Sequence, residues 1–203
     1  MKAIFLVMLS LLLGSPAFSQ EKDNAGLQLT TSITRQRYCK SKDSETVSLS
    51  LSLQLIYLNT GQQRLIFYRG SNLPVYVLIS LNEQNARDRN YEVNQHNGWV
   101  TSGGPNFDEE SQPGDEFVVL KPGRSYQTTT NIWTPIAIEP DSQFLKPGKH
   151  VLQVVIDGWP ESEKQFDRLK KRWKDTGLLW GRPIRSEPMP IEIEQQPKIT
   201  RCR

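Results

Sequence analysis

Residues 47–57 narrow the choice of fold more than any other stretch of the chain. Val47, Leu49, Leu51, Leu53, Leu55 and Tyr57 fall on one parity, and Ser48, Ser50, Ser52, Gln54 and Ile56 fall on the other. Period two is the spacing of a β-strand, whose successive side chains point to opposite faces. Apolar residues on one parity and serines on the other mean one buried face and one wet face. That is the pattern of an antiparallel sheet packed on a single side.

Further strands are expected on either side. Leu27, Leu29, Thr31 and Ile33 mark a weaker first strand leading toward Cys39. Asn59, Thr60 and Gly61 supply turn chemistry, and β-prone residues resume at 65–68, so a hairpin is expected there. Val75, Val77, Ile79 and Leu81 mark another strand, opened by Pro74. A short phrase then occurs twice, as Leu120-Lys121-Pro122-Gly123-Arg124 and as Leu145-Lys146-Pro147-Gly148-Lys149. Proline presets a turn and glycine takes the positive φ that a type II turn requires. Each copy leads into a strand, at 125–133 and 150–157. Met189, Ile191 and Ile193 alternate with Pro190, Glu192 and Glu194 as a last strand ending near Cys202.

One stretch, 161–176, reads as a helix. Phe166, Leu169 and Trp173 form a single apolar stripe, acids come early and bases late, Pro160 suits the first turn, and Gly177 stands where a helix stops. It is too polar for a core helix and should lie on the sandwich by that stripe, with Leu178, Leu179 and Trp180 continuing the contact. The fold expected is an all-β, immunoglobulin-like antiparallel β-sandwich with one inserted amphipathic helix.

The first residues, 1–19, read as an export signal. Lys2 supplies the positive start, an apolar run at 3–13 is broken only by Ser10, and the small residues Ala17 and Ser19 precede a cleavage point before Gln20. The run is about half the length that spans a bilayer. No cysteine follows the cleavage region, which argues against a lipoprotein. Residues 20–203 are then expected to form one domain, in the periplasm or outside the cell. In such a compartment the pair Cys39 and Cys202 is most simply a disulfide, the alternative being two free thiols. A formal charge of +3 is too balanced to imply a nucleic-acid or membrane-surface partner. The basic clusters at 168–172 and around Arg35 and Arg37, and the acidic run at 108–110, read as solvated faces.

The segment 82–116 is the longest without strand periodicity. Within it Asn97-Gly98 is a hairpin signal flanked by Tyr91-Glu92-Val93 and Trp99-Val100-Thr101. A projecting hairpin followed by a flexible loop is expected over 88–113. Tyr91, His96, Trp99 and Phe107 are its candidate binding residues, since amphipathic rings give large contact area at small entropy cost. The alternative is that Tyr91, Val93 and Trp99 pack inward.

The order Tyr91-Glu92-Val93, Asn97-Gly98-Trp99, Ser102, Phe107, Leu120-Lys121-Pro122-Gly123 and Trp133 resembles the bacterial intracellular proteinase inhibitor family, over roughly 47–157. The resemblance implies an immunoglobulin-like sandwich and, at one remove, protease inhibition. An export signal, a cysteine pair and the segment after Asp157 depart from that family.

Catalytic signatures are missing from the sequence. His96 and His150 stand in no metal-ligand spacing, the cysteines are too distant for a zinc knuckle, and neither Gly-x-Ser-x-Gly nor Gly-x-Gly-x-x-Gly occurs. His150 is expected to pack. The acids at 108–110 with Asp115 and Glu116 lack the ligand spacing of a calcium loop. The function expected is that of an exported, non-enzymatic binding or structural module acting through protein or carbohydrate contact, without cofactor, metal, nucleic acid or membrane span. The alternatives are a protease inhibitor presenting an exposed loop, a hydrolase built on His96 and a nearby carboxylate, and an assembly subunit accepting a partner's strand.

Overall fold

The leucine–serine alternation folds as β2 (Val47–Asn59), and it sits inside a sheet rather than at its edge. The computed structural model describes residues 26–42, 46–69, 74–97, 107, 110–136, 145–158 and 163–202. The export signal expected at 1–19 and the hairpin tip expected at Gly98 and Trp99 lie outside them. On either side of β2 run β1 (Leu27–Lys40) and β7 (Ser125–Pro135), both antiparallel to it. The short β12 (Ile199–Arg201) completes this first sheet, in the order β12-β1-β2-β7.

The second sheet has the order β10-β8-β4-β5. It is built from β4 (Val75–Ser80), β5 (Val93–Asn97), β8 (Gly148–Ile156) and β10 (Ile184–Arg185), with β11 (Met189–Ile193) also paired to β8. Side chains from the two sheets meet in the main core. Leu49, Leu51, Leu53 and Leu55 are buried there, as are Val77, Ile79, Leu152 and Val154. Each fully buried leucine contributes about 2 kcal/mol relative to exposure, which is why this one alternating segment pins the architecture. The fold is an all-β sandwich with an inserted helix, as expected.

A third, smaller sheet explains residues 65–68. There β3 (Leu65–Tyr68) lies between β6 (Phe117–Leu120) and β9 (Leu178–Trp180). Leu65 and Phe67 enter the main core, while Ile66 and Tyr68 enter a second core with Phe107, Phe117, Leu169, Trp173 and Leu179. A strand buried on both faces reads as a continuous apolar run. The hairpin expected between β2 and β3 is therefore corrected. Both edges of β2 are occupied, so the chain leaves the first sheet at Asn59. The Asn59 side chain is fully buried and holds this corner: Nδ2 donates to Gln63 O (2.8 Å) and Leu120 O (2.9 Å), and Oδ1 accepts from Gly61 N (2.9 Å).

The sandwich is not wholly antiparallel either. The pairs β3·β9 and β1·β12 are parallel. The first follows from α2 (Glu163–Arg172), which crosses over between β8 and β9 and returns the chain beside β3. Leu169 and Trp173 of the expected stripe are buried in the second core, and Phe166 packs against it. Gly177 ends the crossover where only glycine fits, since a Cβ there would meet Arg64 O at 2.8 Å. The second parallel pair brings the chain's end to its first strand. Cys39 and Cys202 are disulfide-bonded, with Cα atoms 4.9 Å apart and a sequence separation of 163.

The two copies of the proline–glycine phrase both precede strands but differ in geometry. In the first, Arg124 N donates to Lys121 O (3.1 Å) and Gly123 has φ +70°, the type II arrangement. In the second, Gly148 already belongs to β8, opposite Ile193, with φ +138°.

Candidate functional site

Up to Asn97, the segment expected to project as a hairpin adds a strand to the second sheet, and the rest of that hairpin lies outside the described residues. After β4 the chain forms a short helix, α1 (Glu83–Arg87), capped by Asn82, whose Oδ1 accepts from Asn85 N at 2.9 Å. It packs on β4 and β8 through buried Ala86. Tyr91 follows, and β5 then pairs antiparallel with β4.

Strand parity decides which side chains look outward. Val77 and Ile79 of β4 belong to the core, so Tyr76 and Leu78 take the other face. Register then lines up one row across four strands: His96 opposite Tyr76, Tyr76 opposite Val155, and Val155 opposite Arg185. The rings of Tyr76 and His96 lie 5.8 Å apart at their centroids. In the next row Asn94, Leu78 and Gln153 are in register.

Arg185 is a cation on this face held by two side-chain hydrogen bonds. Its Nη1 donates to Tyr91 Oη and to Gln153 Oε1, both at 2.8 Å. Gln153 is itself buried and fixed by Nε2 donating to Ser186 O at 2.9 Å. Ser186 Oγ accepts in turn from Val154 N at 2.9 Å. A guanidinium has five N–H donors in a rigid fork. Both bonds here fall on Nη1, which leaves the Nε–Nη2 edge, the two-donor edge that matches a carboxylate. Among the described residues no acid pairs with Arg185.

Of the residues expected to bind, Tyr91 and His96 thus share the outer face of the second sheet. Tyr91 is half-buried and serves to hold Arg185, whereas His96 is exposed beside Tyr76. Trp99 lies outside the described residues. Phe107 is corrected: it is buried in the second core, with its ring 5.0 Å from Phe117 and 5.9 Å from Tyr68. An apolar ring gains more from joining that small core than from standing in water.

His150 is buried, with Nε2 2.8 Å from Lys146 O and Nδ1 2.9 Å from Glu92 Oε2, the latter too poorly aligned for a hydrogen bond. The carboxylate that a hydrolase dyad on His96 requires is not paired with it among the described residues. Glu110 is structural: its carbonyl accepts from Trp173 Nε1 at 3.2 Å and Arg172 Nη1 at 3.1 Å. Among the described residues no three His, Cys, Asp or Glu side chains converge as metal ligands. A half-open cleft between Tyr57, Phe67, Trp180 and Arg182 has a cavity volume of about 20 Å³, room for a water and not for a small-molecule ligand.

The sequence reading missed Arg185, Tyr76 and Gln153. Tyr76 was within reach, because it alternates with the apolar positions of β4. Arg185 was not, because it meets Tyr91 across 94 residues of sequence.

No family model and no curated protein matches the chain. Solved structures similar to it include the structural-genomics target SoR45, with TM-score 0.35, 12% identity, and coverage of 85% of this chain and 89% of that one. A crystal structure given the name ApaA, from Bordetella pertussis, has TM-score 0.31 and 13% identity, covering 85% of this chain and 98% of that one.

Proposed function

We propose that this chain is an exported, non-catalytic binding module that recognises a protein partner, and that the contact centres on Arg185. One observation carries the reading: a half-buried guanidinium held by two neutral acceptors, its carboxylate-matching edge unpaired among the described residues, with Tyr91 bonded to it and Tyr76 and His96 farther along the same row. Arginine and tyrosine dominate the energetics of protein contacts, and a side chain already fixed loses little entropy on binding. The partner group taken is an acidic side chain or a chain-terminal carboxylate. The leader-like segment at 1–19 and the Cys39–Cys202 bridge support export to an oxidising compartment, periplasmic or extracellular. Among the described residues no helix is long and apolar enough to cross a membrane.

The test is capture from a source-cell envelope and medium extract by the wild type beside Arg185→Gln and Tyr91→Phe, each checked for folding by circular dichroism. Arg185→Gln should lose the partner, Tyr91→Phe should weaken its capture, and a glutamate-rich peptide should compete with the wild type. Equal capture by all three, or indifference to the acidic peptide, would place the contact elsewhere.

A further inference from the structure

The opposite side of the sandwich carries a second, independent surface. Register assigns the outer face of the first sheet without ambiguity. Ser48, Ser50, Ser52, Gln54, Ile56 and Leu58 of β2 point away from the core. Opposite Ser52 lie Arg35 on β1 and Asn131 on β7, and opposite Ser50 lie Arg37 and Trp133. Farther along, Gln54 is flanked by Ser32 and Thr129.

Three features of this face exceed what a solvated sheet needs. First, Trp133 is 51% exposed, a large ring left in water on a strand whose inner face is filled by Ile132 and Thr134. Second, β1 slips register between Ile33 and Arg35. One extra residue flips every later side chain to the other face. Before the slip Leu29 points inward and Ser32 faces outward; after it Tyr38 points inward, so Arg35 and Arg37 turn outward beside Trp133. Third, among the described residues the outward positions of these strands hold no Asp or Glu, although the chain has 22 of them against 25 Lys and Arg. Neither arginine makes an ion pair among the described residues.

Adjacent strands are about 4.8 Å apart, so Arg37 and Trp133 stand roughly 10 Å apart across Ser50. Ser50 is only 5% exposed, since its small side chain sits between those two long ones. Ser52 Oγ donates to Asn131 Oδ1 at 2.7 Å, which fixes the polar group beside the ring.

We infer that this face binds an anionic polysaccharide, a uronic-acid polymer being the chemical type. One pyranose ring stacks on Trp133, its neighbours' hydroxyls meet the Ser, Thr, Asn and Gln rows, and the carboxylates pair with Arg35 and Arg37. The neutral hydrogen-bonding rows select this occupant over a single-stranded nucleic acid, which needs cations tracking its whole backbone and several stacking rings. Around Trp133 the face is serines, arginines and an asparagine, with Ile56 and Leu58 set off toward one end of β2, which selects it over a protein. The site lies on the far side of the core from Arg185 and does not depend on that contact.

Affinity electrophoresis and calorimetry with polygalacturonate, dextran and oligo-dT, on the purified disulfide-bonded chain, test it. Polygalacturonate should retard the wild type and shift its tryptophan fluorescence, and dextran should not. Trp133→Ala and the pair Arg35→Gln/Arg37→Gln should each weaken binding by about tenfold or more, the pair also flattening the salt dependence, and Trp133→Tyr should retain most of it. Arg185→Gln should bind as the wild type does. All these positions but Arg185 are exposed, so the unfolding midpoint should hold. No retardation by polygalacturonate, equal binding by the Trp133→Ala chain, or tighter binding of oligo-dT would overturn the assignment.

Discussion

Tyr57 is the residue in which burial and chemistry are most tightly joined. Its ring stacks on Phe67 at 4.8 Å and tilts against Tyr126 at 6.1 Å, at the end of the leucine face of β2. Burial pushes the phenol well above its ordinary value, and the neighbouring Tyr126 adds to the shift. The neutral form is thus favoured in the folded state. A raised folded value means stability that is complete below the unfolded phenol's pKa of about 10 and is lost as pH climbs above it. Urea unfolding across pH 8 to 11 should show that alkaline decline, and Tyr57→Phe should make it shallower; an unchanged slope would remove Tyr57 as its source. Single residues were unevenly legible. The inward place of Tyr57 follows from parity alone. The burial of Phe107 does not, because it depends on Tyr68 and Phe117 converging from distant positions.

Among the elements, α2 was the clearest and also the most underestimated. Its stripe, its charged ends and its stopping glycine were all readable. Its depth of burial was not: Trp173 is 1% exposed, with its ring 4.8 Å from Phe117 and its indole N–H donating to Glu110 O. Periodicity reports which side of a helix is apolar, while the thickness of cover comes from the third sheet and Phe107. Trp173→Ala should therefore cost about 3–5 kcal/mol, the range for emptying a fully buried aromatic site, read as a lowered denaturation midpoint. A loss under 1 kcal/mol would mean that the second core collapses around the gap. The hairpin expected after β2 failed for a related reason. Turn residues at 59–61 report that the chain bends, and only the occupancy of both edges of β2 sends it to another sheet.

Over the whole molecule, the disulfide ties the first strand to the last across 163 residues. In the chain-entropy model a loop of that size restricts the unfolded state by up to about 5 kcal/mol. Denaturant unfolding with and without reductant should differ by a large part of that figure, and thiol titration of the unreduced chain should find no reactive sulfur. Two titratable thiols, or coincident unfolding curves, would show that the bond does not form or does not matter.

What the chain determines by itself is local and periodic: the longer strands of the main sandwich, the helix with its stripe, the turns, and which face of each of those strands is apolar. These follow from propensity and from the two repeat lengths of regular backbone, so a short window of sequence contains them. Only the tertiary structure decided the pairing order, the two parallel strand pairs, the burial of Phe107 and Trp173, the meeting of Arg185 with Tyr91, and the placing of Arg37 and Trp133 on either side of Ser50. Each of those is a contact between distant segments, set by which sheet edges are vacant and where a register slip falls. Neither quantity is a property of any one stretch of the chain.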